Sequence, residues 1–347
     1  MKQKIIYLSL TVALAVSILL SLSIGAMPIP LKDIVLMAAQ KIHLPIHYTA
    51  DEVYQGVIGE IRLPRTILSV STGAALGISG AAVQGIFRNP LAEPGLIGIS
   101  SGASLAAAFI IALEPVLFVH LGNLMGHYLL ALGAFVGGAL AAFAVYQISK
   151  SDGTPLTATM LLAGIAINAL CGALTGLFSF IADEQQLRSI TFWMMGSLAG
   201  ATWQAVWGCV PFITIALLLL PRFAKPLNTF ALGEVQTNLL GMQASKVKNR
   251  IVLLATLAVG VSVAFTGIIS FVGLLVPHIL RMVGVTDNRF VLPASALLGA
   301  LTLTLSDLLA RTVIAPMELP IGIVTAILGT PVFLYILIKD KKKLYNQ

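Results

Sequence analysis

The chain has 347 residues, of which 58% are apolar and only 10% carry a charge. Soluble domains usually contain roughly 25% charged residues, so this composition excludes a soluble enzyme, a disordered regulator and a disulfide scaffold. The net charge of +7 does not indicate nucleic-acid binding, because the Lys and Arg residues lie singly or in small groups between apolar runs. A protein that crosses the membrane many times is the class that remains.

Apolar runs separated by charged or Pro-rich breaks predict ten membrane-spanning helices. In chain order they cover residues 5–26, 66–87, 95–113, 128–148, 156–181, 203–220, 251–270, 272–285, 291–309 and 321–338. The eighth is too short to cross a hydrocarbon core of about 30 Å as an ideal helix. The first is expected to be an uncleaved span, because many more spans follow it. The expected fold is an all-α polytopic membrane protein with a single transmembrane domain, residues 1–347.

Positive charges are distributed unequally between the two sides that ten spans define. Six of the 21 Lys and Arg residues lie on the side opposite the termini: Lys32, Lys41, Arg62, Arg65, Arg188 and Arg311. The others lie on the same side as the termini. Because Lys and Arg concentrate in cytosolic loops, both termini are predicted to be cytoplasmic.

Glycines recur at four-residue spacing in several predicted spans, as at Gly73 and Gly77, a spacing that lets helices approach closely in lipid. A longer series after Arg65 is echoed at similar gaps after Arg250: Gly73, Gly80, Gly85 and Pro90 correspond to Gly260, Gly267, Gly273 and Pro277. The two series lie five spans apart and so run in opposite directions. The echo predicts inverted repeats; chance similarity between Gly-rich helices is the alternative.

The sequence also limits the energy source of any transport reaction. No GxxxxGK[ST] motif occurs, so the chain cannot form a P-loop for nucleotide phosphates. A gradient-driven carrier usually keeps a titratable group near the middle of the membrane. Here Glu93 and Glu234 fall in predicted cytosolic turns, and Asp307 and Glu318 fall near the outer edge, which favours a partner ATPase.

Catalytic and metal sites are not indicated. His43 and His47 lie four residues apart, but Pro45 between them breaks the helical face that would align them, so no metal site is predicted. An intramembrane enzyme would need a paired catalytic set, such as Ser with His, which the spans do not offer.

Several long segments together resemble one transport family. They are Arg62-Leu-Pro-Arg65-Thr66, then GAALGISGAAVQGIFRNPLAEPGLIGISSGA (73–103), FWMMGSL (192–198), FTGIISFVGLLVPHILRMVG (265–284), SDLLART (306–312) and ELPIGIVTAILGTPVF (318–333). In this order they resemble the iron-chelate and cobalamin permease family of bacterial ABC importers, the FecCD type. The likeness covers nearly the whole chain beyond about residue 56.

This resemblance implies a type II importer permease of about ten helices, working as a homodimer or with a sister subunit. Two cytosolic ATPase subunits would drive it, and a periplasmic or lipid-anchored binding protein would deliver the ligand. The expected function is translocation of a bulky iron chelate, siderophore or haem, across the bacterial cytoplasmic (inner) membrane by alternating access. The chain itself would be no enzyme and would need no cofactor. Cobalamin import is the first alternative and a gradient-driven carrier the second.

The longest predicted cytosolic loop, residues 221–250, contains apolar residues at three- and four-residue steps and then a glycine, a pattern typical of a short amphipathic helix with a turn. Such a helix lies on the membrane surface or inserts into a groove of a partner. The resemblance favours the second interpretation, because the family places its coupling helices here. The residues expected to contact the ATPase are Phe230, Leu232, Gly233, Glu234, Leu239, Leu240 and Gly241.

Three outer arginines are candidates for docking the binding protein. Arg62 and Arg65 are expected to open the second span, and Arg311 to close the ninth. In the resembling family, arginines at the matching positions receive glutamates of the binding protein. Snorkelling at the interface, and an internal pair between Asp307 and Arg311, are the alternatives.

The resemblance also places a cytosolic gate in two turns. Its residues are Asn89, Pro90, Leu91 and Thr157. Proline would stiffen the first turn, because it fixes φ and removes a hydrogen-bond donor. A plain connector is the alternative interpretation of both turns.

Overall fold

The computed structural model describes residues 2–41, 51–117, 127–151 and 154–345. His43 and His47 lie outside these ranges. The helices within them are α1 (Lys2–Ser23), α2 (Leu31–Lys41), α3 (Glu52–Gly56), α4 (Leu63–Phe87), α5 (Ile99–Leu117), α6 (His127–Ile148), α7 (Thr157–Ile181), α8 (Glu184–Met195), α9 (Trp203–Leu219), α10 (Ala224–Phe230), α11 (Glu234–Leu239), α12 (Ala244–Thr266), α13 (Val272–Met282), α14 (Asn288–Thr312) and α15 (Ile321–Tyr345).

Short elements connect several of these helices. A π-helical turn, Val57–Arg62, joins α3 to α4, and 3-10 turns cover Pro94–Ile97 and Leu220–Phe223. Two-residue strands β1 (Lys150–Ser151) and β2 (Thr154–Pro155) pair antiparallel before α7. The described part of the chain is otherwise built from helices and irregular turns.

The predicted all-α membrane fold is confirmed. Eight helical stretches in the described ranges are long and apolar enough to cross a membrane. Two shorter apolar helices, Ile99–Glu114 and Val272–Met282, coincide with the third and eighth predicted spans. Helix α13 has only 11 residues, as expected for a segment too short to cross the bilayer alone.

Helical structure extends past two of the predicted span boundaries. Arg62 and Arg65 lie inside a continuous helical stretch, Glu52–Phe87, which begins before the predicted start of the span at residue 66. The predicted loop 221–250 is mostly helical, containing α10, α11 and the first turns of α12. Charged residues lower the hydropathy of both segments, although Lys, Gln and Arg have good helix propensity. The length of an apolar run is therefore shorter than the helix that contains it.

Helix α4 lies at the centre of the core, and nearly all of its side chains are buried. Small residues let α14 cross it with the two backbones in contact. A Cβ placed on Gly73 would lie 2.3 Å from the carbonyl oxygen of Gly299, and one on Gly77 would lie 2.1 Å from that of Ser295. The close helix approach predicted from the glycine spacing is therefore confirmed.

Two members of the echoed glycine series also meet. A Cβ on Gly80 of α4 would lie 1.9 Å from the carbonyl oxygen of Gly273 in α13. These two helices therefore pack as closely as α4 and α14. The inverted repeats stay a prediction, since a contact between two helices does not relate the two halves by symmetry.

Candidate translocation and coupling sites

A cavity of about 510 Å³ lies between the start of α5, one face of α7 and the turn that joins α12 to α13. Its volume falls in the range of about 300–1,000 Å³ typical of small-molecule sites. Its polar lining consists mainly of hydroxyl and amide groups: Ser100, Ser101, Ser104, Asn168, Thr175, Ser179 and Ser270. Such weakly polar walls suit a solute that must pass through and leave.

The α7 face of this cavity follows helical spacing. Asn168, Gly172, Thr175, Gly176 and Ser179 all line it, at steps of three and four residues that place them on one side of the helix. A stripe of small and polar residues in an apolar helix can be recognised in the sequence, although these residues were not among the predicted site residues.

Hydrogen bonds tie α7 to the start of α5 beside the cavity. Ser101 donates to Asn168 Oδ1 at 2.5 Å, and the Asn168 amide donates to the carbonyl oxygen of Gly95 at 3.3 Å. Inside a protein these bonds are stronger than in water. They fix the position of α7 relative to the turn that carries Glu93.

Glu93 lies in the predicted turn between α4 and α5, and this turn lines the cavity. It precedes the 3-10 turn Pro94–Ile97, and its Oε1 is 3.3 Å from the position of a Cβ on Gly95. Burial raises the pKa of the Glu93 carboxyl above its ordinary value. The cavity wall therefore contains a titratable carboxyl group.

The predicted coupling segment is a helix–turn–helix. Helix α10 is anchored by Leu227 and Phe230, which are fully buried, so Phe230 holds the segment to the membrane domain and does not face a partner. Gly233 (φ +119°) and Gly241 (φ +80°) begin and end α11, with backbone angles that favour glycine. Asn228 donates to Asp287 Oδ1 at 2.6 Å, which links α10 to the start of α14.

Three leucines of this segment are strongly exposed. Leu232, Leu239 and Leu240 are 66%, 82% and 59% exposed, although they lie in the segment predicted to be cytosolic. We call these three residues the coupling patch. Large exposed apolar side chains close together in a cytosolic segment are typical of a protein–protein contact.

A polar cluster that includes the buried Lys248 lies beside the coupling patch. Glu234, the first residue of α11, accepts a hydrogen bond from Thr157, the first residue of α7, at 3.0 Å. Lys248 of α12 forms an ion pair with the same Glu234 oxygen and donates to Thr157 Oγ1 at 3.1 Å. The Lys248 side chain is only 3% exposed. The cluster thus joins a predicted gate residue to a predicted coupling residue, a connection that no local sequence pattern indicates.

The other predicted gate residues form a tight turn after α4. Arg88 ends the helix in the left-handed region, at φ +49°. The Asn89 side chain accepts a hydrogen bond from the Leu91 backbone at 2.9 Å, and Pro90 and Leu91 are exposed. One guanidinium nitrogen of Arg88 is 3.9 Å from the position of a Cβ on Gly233. This turn therefore lies beside the coupling segment as well.

The structure brings the three outer arginines together but buries them. Arg62, Arg65 and Arg311 are 4%, 7% and 8% exposed. Arg62 donates to the carbonyl oxygens of Leu22 and Ser23 at 2.6 and 2.8 Å. A cation at this position stabilises the C-terminal end of α1, because the last carbonyl groups of a helix lack partners within it.

Arg65 and Arg311 share one carboxylate. Arg65 binds Asp307 at 2.9 Å and Glu318 at 2.8 Å. Arg311 lies 3.9 Å from the other Asp307 oxygen and donates to the carbonyl oxygen of Ser21 at 2.6 Å. The internal Asp307–Arg311 pair, left open by the sequence, is therefore present, and snorkelling into water is not.

The burial of these arginines bears on their predicted docking role. Each guanidinium group is occupied by partners within the chain, so direct contact with a binding protein would require those contacts to rearrange. Glu318 is the more accessible member of the cluster, with a side chain 38% exposed. The docking role stays a prediction.

The sequence matches the FecCD transport family over residues 13–339. The hemin transport system permease protein HmuU of Yersinia pestis is 43% identical over 283 residues, which cover 82% of this chain and 83% of the relative. The vitamin B12 import system permease protein BtuC of Salmonella typhi is 40% identical over 285 residues, covering 82% and 84%. The cobalamin import system permease protein BtuC of Halobacterium salinarum is 38% identical over 293 residues, covering 84% and 76%.

Solved structures share the fold. One, described as an inward-facing conformation of a metal-chelate type ABC transporter, aligns with a TM-score of 0.82 at 30% identity and covers 97% of this chain and 99% of that one. The PsaBC structure from Streptococcus pneumoniae has a TM-score of 0.52 at 16% identity, covers 87% and 94%, and shows likeness of fold alone. Because the family match spans nearly the whole chain and curated relatives reach 43% identity, this chain belongs to the FecCD transport family.

Proposed function

We propose that this chain is the membrane-spanning permease subunit of an ATP-driven importer that moves a bulky iron chelate, a siderophore or haem, by alternating access. The observation that carries the proposal is the link from the exposed coupling patch, through Glu234 and Thr157, to α7. Because α7 also lines the 510 Å³ cavity, a push on the patch can move a wall of the passage. ATP hydrolysis belongs to a separate subunit in this proposal.

Two exposed apolar surfaces support the proposed partners. Two cytosolic ATPase subunits would each receive a coupling patch, and a second copy of the permease would pack against the outward side of α7. That side carries exposed apolar residues, among them Leu162, Leu170 and Leu177. The homodimer would lie in the cytoplasmic (inner) membrane, with both termini cytoplasmic.

A periplasmic or lipid-anchored binding protein would complete the importer. The buried arginine cluster lies at the end of α4 that the charge distribution places outside. In our proposal Arg62, Arg65 and Arg311 stabilise the docking surface. A carboxylate of the binding protein then replaces Glu318 as an ion-pair partner of the arginines. Exchange of partially exposed ion pairs suits a partner that must arrive, release ligand and leave.

Two cargo classes have support among the relatives. An iron-containing chelate is favoured by the likeness to a hemin permease and to a metal-chelate type transporter. Cobalamin is the second candidate, because two relatives are named as cobalamin or vitamin B12 permeases. Uptake of haem, a ferric siderophore and cobalamin into proteoliposomes containing the permease, its ATPase and its binding protein will distinguish them.

The same assay tests the energy source. With ATP inside the vesicles we expect uptake, and with an ATPase that cannot hydrolyse ATP we expect none. Uptake that persists without hydrolysis and collapses with a proton ionophore would instead support a gradient-driven carrier. Glu93 makes this comparison necessary, because a titratable carboxyl lies in the cavity wall.

A further inference from the structure

A long groove runs between α6 and α12 on a surface rich in exposed apolar side chains. Its volume is about 680 Å³, and Leu140, Phe143 and Leu253 on its walls are 62%, 58% and 69% exposed. From Tyr146 to Phe135 the groove follows α6 for about 16 Å at 1.5 Å per residue. This length matches one leaflet, which is half of a hydrocarbon core of about 30 Å.

One end of the groove is polar and cationic. The Tyr146 hydroxyl donates to Asn249 Oδ1 at 2.5 Å. Lys150 Nζ donates to Gln147 Oε1 at 2.8 Å and lies 4.5 Å from the centre of the Tyr146 ring. An ammonium group has three donors, so N–H groups remain for an anion. Among the described residues that line the groove, none is acidic.

Two further cations lie at the same end. Lys246 and Arg250 are exposed and lie four residues apart. Each precedes a groove residue, Asn249 or Leu253, by three residues, which places both cations on one side of α12. Three cations thus lie at the mouth of an apolar groove of one leaflet's length. An anionic headgroup attached to acyl chains complements both parts.

We propose that this groove binds a phospholipid with an anionic headgroup, its acyl chain between α6 and α12 and its phosphate at Lys150. By the charge distribution of the chain, the lipid would come from the cytosolic leaflet. The proposal depends on the membrane location of the protein and not on the identity of its cargo. Because α12 also carries Lys248, the lipid would pack against the helix that holds the polar cluster beside the coupling patch.

Native mass spectrometry of the full-length permease tests this proposal. The protein is released from nanodiscs containing equimolar phosphatidylglycerol and phosphatidylcholine, and the retained lipids are counted. We expect wild type to retain phosphatidylglycerol over phosphatidylcholine by at least about fivefold, in line with the attraction of anionic lipid to each basic residue. The combined variant Lys150→Gln, Lys246→Gln and Arg250→Gln should retain the two lipids nearly equally.

Two control variants separate binding in this groove from a general attraction of anionic lipid to a basic protein. The variant Arg222→Gln with Lys225→Gln removes two cations outside the groove and should keep the wild-type preference. Leu140→Trp fills the groove and should lower phosphatidylglycerol retention with all three cations in place.

Three outcomes would overturn the proposal. The first is equal retention of both lipids by wild type, and the second is an unchanged preference in the triple variant. The third is displacement of the retained lipid by excess inorganic phosphate alone, since it would indicate an anion site without an acyl-chain groove.

Discussion

Thr157 at the start of α7 donates a hydrogen bond to Glu234 at the start of α11, across 77 residues of sequence. One of these residues was predicted to belong to the gate and the other to the contact with the ATPase. Lys248 binds both, so the three side chains form one hydrogen-bonded junction. The proposed push from the ATPase therefore has a direct path to the helix that lines the cavity.

Breaking this junction should uncouple hydrolysis from transport. We expect Glu234→Gln and Thr157→Val each to lower uptake per ATP hydrolysed, while basal hydrolysis in proteoliposomes persists. The double variant should be no worse than the poorer single variant, with a coupling free energy of roughly 0.5–2 kcal/mol. Strictly additive losses would show that the two residues act independently. Thr157→Ser, which keeps the hydroxyl, is the matched control.

The coupling patch should be required for ATPase binding. Leu239→Glu or Leu240→Glu places a charge where an apolar contact is proposed, and an unpaired charge buried in an interface is strongly unfavourable. We expect co-purification of the ATPase to fall at least about tenfold, with normal permease yield. Leu187→Glu, at an exposed leucine of α8, should have no effect. Wild-type recovery of the ATPase with both patch variants would exclude this contact.

The crossing of α4 and α14 should tolerate no side chain larger than hydrogen at its centre. A Cβ on Gly299 would lie 2.2 Å from the carbonyl oxygen of Gly73, so Gly299→Ala must push the two backbones apart. We expect a loss of about 1–3 kcal/mol in the free energy of unfolding, as in overpacked cores. Gly56→Ala, where no heavy atom lies within 4 Å, is the control. Equal thermal stability of the two variants in detergent would contradict this prediction.

The arginine cluster should depend on Asp307 more than on Glu318. Asp307 is fully buried between Arg65 and Arg311, and removing one partner of a buried ion pair costs about 3–5 kcal/mol. Asp307→Asn should therefore lower the melting temperature strongly. Glu318→Gln should change stability by about 0–1 kcal/mol, because its side chain is partly solvated. Comparable melting temperatures for both variants would argue against an organising role of Asp307.

Stability should depend on pH through Glu93. Burial raises the pKa of this carboxyl in the folded protein, so the folded state holds the proton more tightly than the unfolded chain does. This contribution is fully present below the unfolded pKa of about 4.3 and is lost as the pH rises through the raised folded pKa. Glu93→Gln should remove this contribution. The free energy of unfolding of the variant, relative to that of wild type, should therefore rise as the pH rises.

Thermal unfolding of both proteins across that pH range measures the difference. Glu184→Gln changes an exposed carboxyl on α8 and should track wild type at every pH. Parallel curves for wild type and Glu93→Gln would show that the Glu93 carboxyl does not titrate with folding.

Local composition was sufficient to predict the apolar helices of this protein. A bilayer requires long apolar segments with internally paired backbones, so the eight long helices and the two shorter apolar ones could be recognised without knowing how they pack. The glycine spacing likewise predicted close helix approach, because a four-residue step places small residues on one face. The matched motifs predicted the transport family in the same way, since each is a continuous stretch of chain.

Only the tertiary structure decided what the charged side chains do. Arg65 and Asp307 are 242 residues apart in sequence, and whether an arginine snorkels into water or forms a buried ion pair depends on which helix packs beside it. The same holds for Glu93. Hydropathy predicts only that it lies in a turn between two spans, and the tertiary structure shows that this turn lines a cavity. Hydropathy records how each segment partitions between water and lipid. The partners of a buried charge are set by contacts between distant segments, which arise when the helices pack together.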